Sequence, residues 1–203
     1  MDIRRTGIII LVVAGLAAAI ISAGRFHQPV SEPMPLGAAT GVRVGYPTAV
    51  APARPARPLT ISIPAINVAA RVEYVRTDRQ GNMDVPADAD NAAWFEPGYL
   101  PGATGNAVIA GHYDKADGSP AAFYRLSGLV PGDIAEVSDE NGAVRKFQVV
   151  RVESFDSAEF PLDDVFGPAD TINLNLITCS GTWNAAAKNY SRRTVVFTRL
   201  IPE

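Results

Sequence analysis

Apolar and polar residues alternate with a period of two along much of the second half of the chain. In "TINLNLITC", residues 171–179, Ile172, Leu174, Leu176 and Thr178 fall on one face and Asn173, Asn175, Ile177 and Cys179 on the other. That spacing predicts a strand. The run "TVVFTRLI" at 194–201 is rich in β-branched residues and predicts a last strand. Earlier, "LTISIPAINVAARVEYV" places Leu59, Ile61 and Ile63 on one face before Pro64. In "DIAEVSDENGAVRKFQVVRVESF" two β-rich runs flank Asn141-Gly142, a dipeptide that accepts the positive φ angles of a tight hairpin. The one helical candidate of weight is "SPAAFYRL", Ser119 to Leu126, where Ser119 precedes Pro120 in the manner of a helix start. Short strands separated by Gly and Pro turns predict a mainly β domain, closed or nearly closed, rather than an alternating α/β sheet. No internal repeat interrupts this pattern.

The first residues follow a different pattern. From Gly7 to Gly24 run eighteen uncharged residues, preceded by Arg4 and Arg5. This is near the lower limit for a helix that spans a bilayer, and the two arginines put the N-terminus on the cytoplasmic side. A cleavable signal peptide starts similarly, but Ile21-Ser22-Ala23 is an imperfect cleavage site, so residues 1–26 are read as an uncleaved transmembrane anchor. Residues 27–58 carry seven prolines, from Pro29 to Pro58, and read as a semi-extended tether in which "GVRVGY" is a short candidate strand. A folded domain over 59–203 would then lie outside the cell.

Composition narrows the function classes. The 203 residues are 47% hydrophobic and 19% charged, enough for the core of one ordinary domain. A net charge of −3 with no basic block gives no footprint for nucleic acid. With two histidines, one of them in the tether, and an Asp88 to Asn91 "DADN" too short for a calcium loop, no metal site and no cofactor are expected.

The chemistry therefore rests on few residues. Cys179 is the only cysteine, so an exported domain cannot pair it internally; it is either inert by burial or reactive. His112 is the only histidine beyond the tether, and "AVIAG" before it predicts a position at a strand end. Arg192 and Arg193 precede the last strand. A thiol needs a base or a cation to yield thiolate at neutral pH, and a tetrahedral oxyanion needs donors. Cys, His and Arg at three strand ends are the right residue types. Spacing alone leaves open a core cysteine, a surface histidine and solvated arginines.

"AVIAGHYD", "LITCSG" and the arginine-bearing start of the final strand, in that order, resemble the His, Cys and Arg motifs of the sortases. The likeness extends through "LTISIPAINVAARVE", "GNMDVPADADNAAWFEPGYLPGATGNAVIAGHYD", "AAFYRLSGLVPGDIAEV" and "FPLDDVFG", and is most similar to the actinobacterial sortases of class F. The resemblance implies an eight-stranded β-barrel with short helices. It also implies a cysteine transpeptidase on the outer surface of a Gram-positive cell, acting on surface proteins with a C-terminal Leu-Pro-x-Thr-Gly-like signal. Cys179 would form a thioacyl enzyme, His112 would serve as acid and then base, and an arginine would bind the oxyanion. The acceptor would be an amine of a cell-wall precursor or of another protein. Counted back from "VVF", Arg193 falls where the family's arginine usually lies; Arg192 is the alternative, because one residue of slip turns a side chain to the other sheet face. Where the family often has an Asp-Asn pair, this chain has Arg192-Arg193. Thr178, Ser180 and the Gly181 backbone are candidates for the oxyanion pocket, Asp114 for orienting the imidazole, and Trp183 and Tyr190 for a peptide groove.

The rival readings are a hydrolytic cysteine peptidase and a membrane-tethered β-barrel binding module. Papain-like enzymes usually place Cys before His, the reverse of the order here, and an L,D-transpeptidase would show "HGC" rather than "ITCSG".

Overall fold

The computed structural model describes residues 53–202. The expected anchor, most of the tether and His27 lie outside these residues. Among the described residues no helix is long and apolar enough to cross a membrane.

Eight strands close into a barrel: β1 (Pro58–Ile63), β2 (Val68–Val75), β3 (Ala92–Phe95), β4 (Gly105–Gly111), β5 (Ile134–Asp139), β6 (Val144–Asp156), β7 (Ile172–Asn184) and β8 (Asn189–Leu200). Their order around the barrel is β1-β2-β3-β4-β7-β8-β6-β5, and β1 pairs with β5 to close it. The β2/β3 and β4/β7 pairs are parallel and the rest antiparallel. This mainly β closed barrel is the architecture expected above.

The period of two sorts the core. Leu174 and Leu176 of β7, Ala107 and Ile109 of β4, and Val196 of β8 join one buried cluster inside the barrel with Phe123 and Phe147. The intervening Val108, Ile177, Val195 and Phe197 point outward into a second cluster. A five-residue helix, α1 (Leu162–Phe166), covers that face through Val165. Asparagines secure it: Asn175 Nδ2 donates to the Val165 carbonyl at 2.8 Å, and Asn106 Nδ2 to the Gly167 carbonyl at 3.0 Å. Asn175 of β7 and Asn106 of β4 are thus buried and satisfied rather than solvated.

Three local expectations are corrected. Leu59 is 46% exposed while Ile61 and Ile63 are buried, because the β1 register shifts between Pro58 and Thr60 and breaks the alternation. The Asn141-Gly142 hairpin is wider than a two-residue turn. Only Gly142 has positive φ, at 80°, and the Asp139 carboxylate accepts from the Asn141 and Ala143 N–H groups. "SPAAFYRL" is not a helix. The N–H groups of Ala121, Ala122 and Phe123 donate instead to the carbonyls of Tyr113, Ala89 and His112, so the segment is strapped onto the chain beyond β4 and only Leu126–Gly128 turns as a 3-10 helix.

That strap explains Gly111. A Cβ there would sit 2.6 Å from Phe123 Cγ, deep in the core, so glycine lets the ring close over the end of β4. Gly111→Ala is expected to destabilise by about 1–3 kcal/mol, a fall of about 3–9 °C in Tm, measured by thermal melting. An unchanged Tm would mean that the ring moves aside without cost.

Candidate active site

Parallel pairing of β4 with β7 ends at Ala110 opposite Ile177. Two residues further along each chain come His112 and Cys179, on neighbouring strands that run about 4.8 Å apart. The residues just before them are tied together: Thr178 Oγ1 donates to the Gly111 carbonyl at 2.9 Å. Antiparallel pairing of β7 with β8 sets Cys179 opposite Arg193. Directly opposed residues share a sheet face, so Cys179 and Arg193 lie on the outward face that also carries Ile177 and Val195. The result is a Cys, His and Arg row at the end of an apolar floor, edged by the partly buried Met83, Phe95, Phe155 and Phe160.

Cys179 is half-buried and unpaired. Burial pushes its thiol up, the Arg193 charge draws it down, and the Asp114 charge raises it again; the net direction is upward. These surroundings do not by themselves favour the thiolate, so a base must take the proton as it forms.

His112 is positioned through its backbone and its ring. Its carbonyl accepts from Phe123 N–H at 3.0 Å, and its Nε2 lies 3.0 Å from the Pro86 carbonyl. A carbonyl only accepts, so Nε2 carries hydrogen and Nδ1 is the nitrogen left to exchange a proton. The Pro86 carbonyl is itself held in place by Glu73 of β2. The Glu73 carboxylate accepts from Ala87 N–H at 2.8 Å, Asp88 N–H at 3.2 Å and Asn91 Nδ2 at 2.9 Å. Burial raises the Glu73 carboxyl, but these bonds and the His112 charge outweigh it and the net shift is downward. An ion pair of Lys115 with Asp90 at 2.7 Å fastens the same loop to the segment after His112.

The two arginines occupy different surroundings. Arg193 is half-buried; its Nη1 donates to Ser157 Oγ and to the carbonyls of Tyr190 and Arg192 at 3.0–3.1 Å, and Nη2 to Asn189 Oδ1 at 2.7 Å. Arg192 pairs with Ser180 and so takes the opposite face. It is exposed and donates to Ser154 Oγ at 2.9 Å and to the Ser154 carbonyl at 2.5 Å.

The Thr178 hydroxyl is buried and committed to Gly111. Ser180 faces away with Arg192, its Oγ 3.4 Å from Ser154 Oγ. Asp114 accepts a short hydrogen bond from the Tyr190 hydroxyl. Trp183 is 52% exposed and stands edge-on to Tyr190, with ring centroids 5.1 Å apart. Gly181 sits at the irregularity between Ser180 and Trp183 with φ of 82°, and a Cβ there would meet Ser191 Oγ at 2.5 Å. Sequence reasoning missed Glu73, Pro86, Ser157 and Asn189. No spacing signals them: Pro86 acts through a carbonyl, and Ser157 is 36 residues from the arginine it serves.

A family model described as "Sortase domain" matches residues 61–201. Among solved structures, sortase C-1 from Actinomyces oris aligns with TM-score 0.56 and 21% identity, over 71% of this chain and 73% of that one. A lid mutant of sortase A from Corynebacterium diphtheriae aligns with TM-score 0.55 and 22% identity, over 75% of each chain. Sortase A from Listeria monocytogenes aligns with TM-score 0.54 and 18% identity, over 70% of this chain and 86% of that one. No curated protein matches the chain in sequence.

Proposed function

This chain belongs to the sortase family of cysteine transpeptidases, and from that premise we propose that it cleaves a Leu-Pro-x-Thr-Gly-like sorting signal and transfers the protein to an amine. The Cys179 sulfur adds to the Thr carbonyl as its proton passes to His112. Collapse of the tetrahedral intermediate breaks the Thr–Gly C–N bond, and His112 returns the proton to the departing amine. The incoming amine then gives a proton to His112 as it attacks the thioester, and the thiol re-forms. Arg193 stabilises the oxyanion in both steps. The observation that carries this reading is the register that makes Cys179 and Arg193 cross-strand partners beside the end of β4, where His112 follows.

The segments quoted above support membership of the actinobacterial class F. The uncharged run from Gly7 to Gly24 behind Arg4 and Arg5 supports a single-pass anchor, a tether to residue 58 and a catalytic domain outside a Gram-positive cell. The acceptor is a peptidoglycan precursor amine or a protein amine.

The test incubates the full chain in detergent with a quenched fluorescent Leu-Pro-x-Thr-Gly peptide library, with and without a glycine amine acceptor. Acceptor-linked product is expected. Cleavage by water alone with every amine tried would make the chain a hydrolytic peptidase. No cleavage and no labelling of the folded thiol by a methanethiosulfonate would make it a binding module.

A further inference from the structure

We infer that Tyr190 is a positioning residue: its hydroxyl, bound to the Asp114 carboxylate, and its carbonyl, bound to the Arg193 guanidinium, tie the segment that carries His112 to the cation beside Cys179. The inference rests on the transfer reaction proposed above.

Asp114 lies two residues past His112, and Tyr190 three residues before Arg193. These positions are 76 residues apart in the chain, and the phenol joins them. Its ring is held edge-on by Tyr113 at 5.6 Å and Trp183 at 5.1 Å, so the hydroxyl has a defined direction. The hydrogen bond to Asp114, followed by burial, pushes the Tyr190 phenol up to about 12, and the group stays a donor throughout the physiological range.

The tie matters because Asp114 and Arg193 act on Cys179 with opposite signs, the carboxylate raising the thiol and the guanidinium lowering it. The titratable and charged groups around this junction are Tyr113, Asp114, Tyr124, Cys179, Tyr190 and Arg193, with His112 on the adjoining segment. The Tyr190 hydroxyl is the donor that occupies the Asp114 carboxylate. Freed from it, Asp114 would compete for the cation that the thiolate and the oxyanion need.

The test uses the full chain in detergent with Tyr190→Phe, which retains the ring contacts, together with Asp114→Asn and the double variant. Cys179 labelling by a methanethiosulfonate is followed against pH, and peptide turnover is measured in parallel. In Tyr190→Phe the labelling rate at pH 7 is expected to fall about fivefold, its midpoint to move up, and kcat to fall about tenfold with KM within about twofold. Asp114→Asn keeps an acceptor for the hydroxyl and loses the charge, so its midpoint should move down. In that background Tyr190→Phe should add little, since the hydroxyl acts through the carboxylate. An unchanged profile in Tyr190→Phe, or an equal effect with and without the Asp114 charge, overturns the inference. Failure of the wild-type thiol to label would overturn the transfer reading itself, and the inference with it.

Discussion

Replacing Cys179 with alanine ends peptide turnover, a fall of about 10⁴-fold or more in kcat/KM, while Tm moves by no more than about 4 °C. The two halves of this expectation rest on different features. The sulfur is half-buried and belongs to neither of the two apolar clusters, so its removal opens no cavity in the packed interior. Chemically it is the only thiol in the chain, and the hydroxyl nearest in sequence, on Ser180, faces the other side of the sheet. The pH dependence follows from the raised thiol. Labelling of the wild-type protein by a methanethiosulfonate should climb as pH rises and level off above the ordinary thiol range, because burial outweighs the pull of Arg193. A variant that turns over peptide within about tenfold of wild type would remove Cys179 from the reaction altogether.

The parts of this arrangement that are legible in sequence are those written in side-chain alternation and residue chemistry. The alternation in "TINLNLITC" assigns Leu174 and Leu176 to one face and Ile177 to the other, as the two clusters have them, and Cys179 follows Ile177 at the same spacing. The scarcity of Cys and His reduces the candidate pair to one choice, and the resemblance supplies the strand number. What escaped was carried by backbone. Leu59 left its face because of a register shift, and no side-chain pattern encodes the extra residue. "SPAAFYRL" has the composition of a helix start, but the N–H groups of Ala121, Ala122 and Phe123 are taken by carbonyls outside the segment, which no side-chain pattern announces. At five residues α1 is too short for a helical period to emerge. The links from Glu73 through Pro86 to His112 likewise pass through main-chain atoms, which every residue type supplies alike.

The arginine pair offers the most discriminating result, because two adjacent, chemically identical residues are expected to differ by orders of magnitude. Arg193→Ala should lower kcat about 10²–10³-fold, the usual effect of losing one oxyanion donor, whereas Arg192→Ala should change it by less than about threefold. A guanidinium has five N–H donors. Arg193 commits Nη1 and one Nη2 hydrogen to Ser157, Tyr190, Arg192 and Asn189, which leaves Nε–H and the second Nη2 hydrogen without an acceptor among the described residues. None of those partners is charged, and among the described residues Arg193 enters no ion pair, so its full charge is preserved for an anion. Arg192 is exposed, on the other face, and spends its donors on Ser154. The thiol reports the same asymmetry without substrate. Removing Arg193 takes away the charge that lowers the Cys179 thiol, so the labelling midpoint should rise, and removing Arg192 should leave it where it was. Arg193→Lys should restore the midpoint more fully than kcat, since a lysine returns the charge but not the planar fork that holds it in place. Equal losses in the two alanine variants would show that both side chains serve the site from one face, and the register between β7 and β8 would have to slide by one residue to allow it.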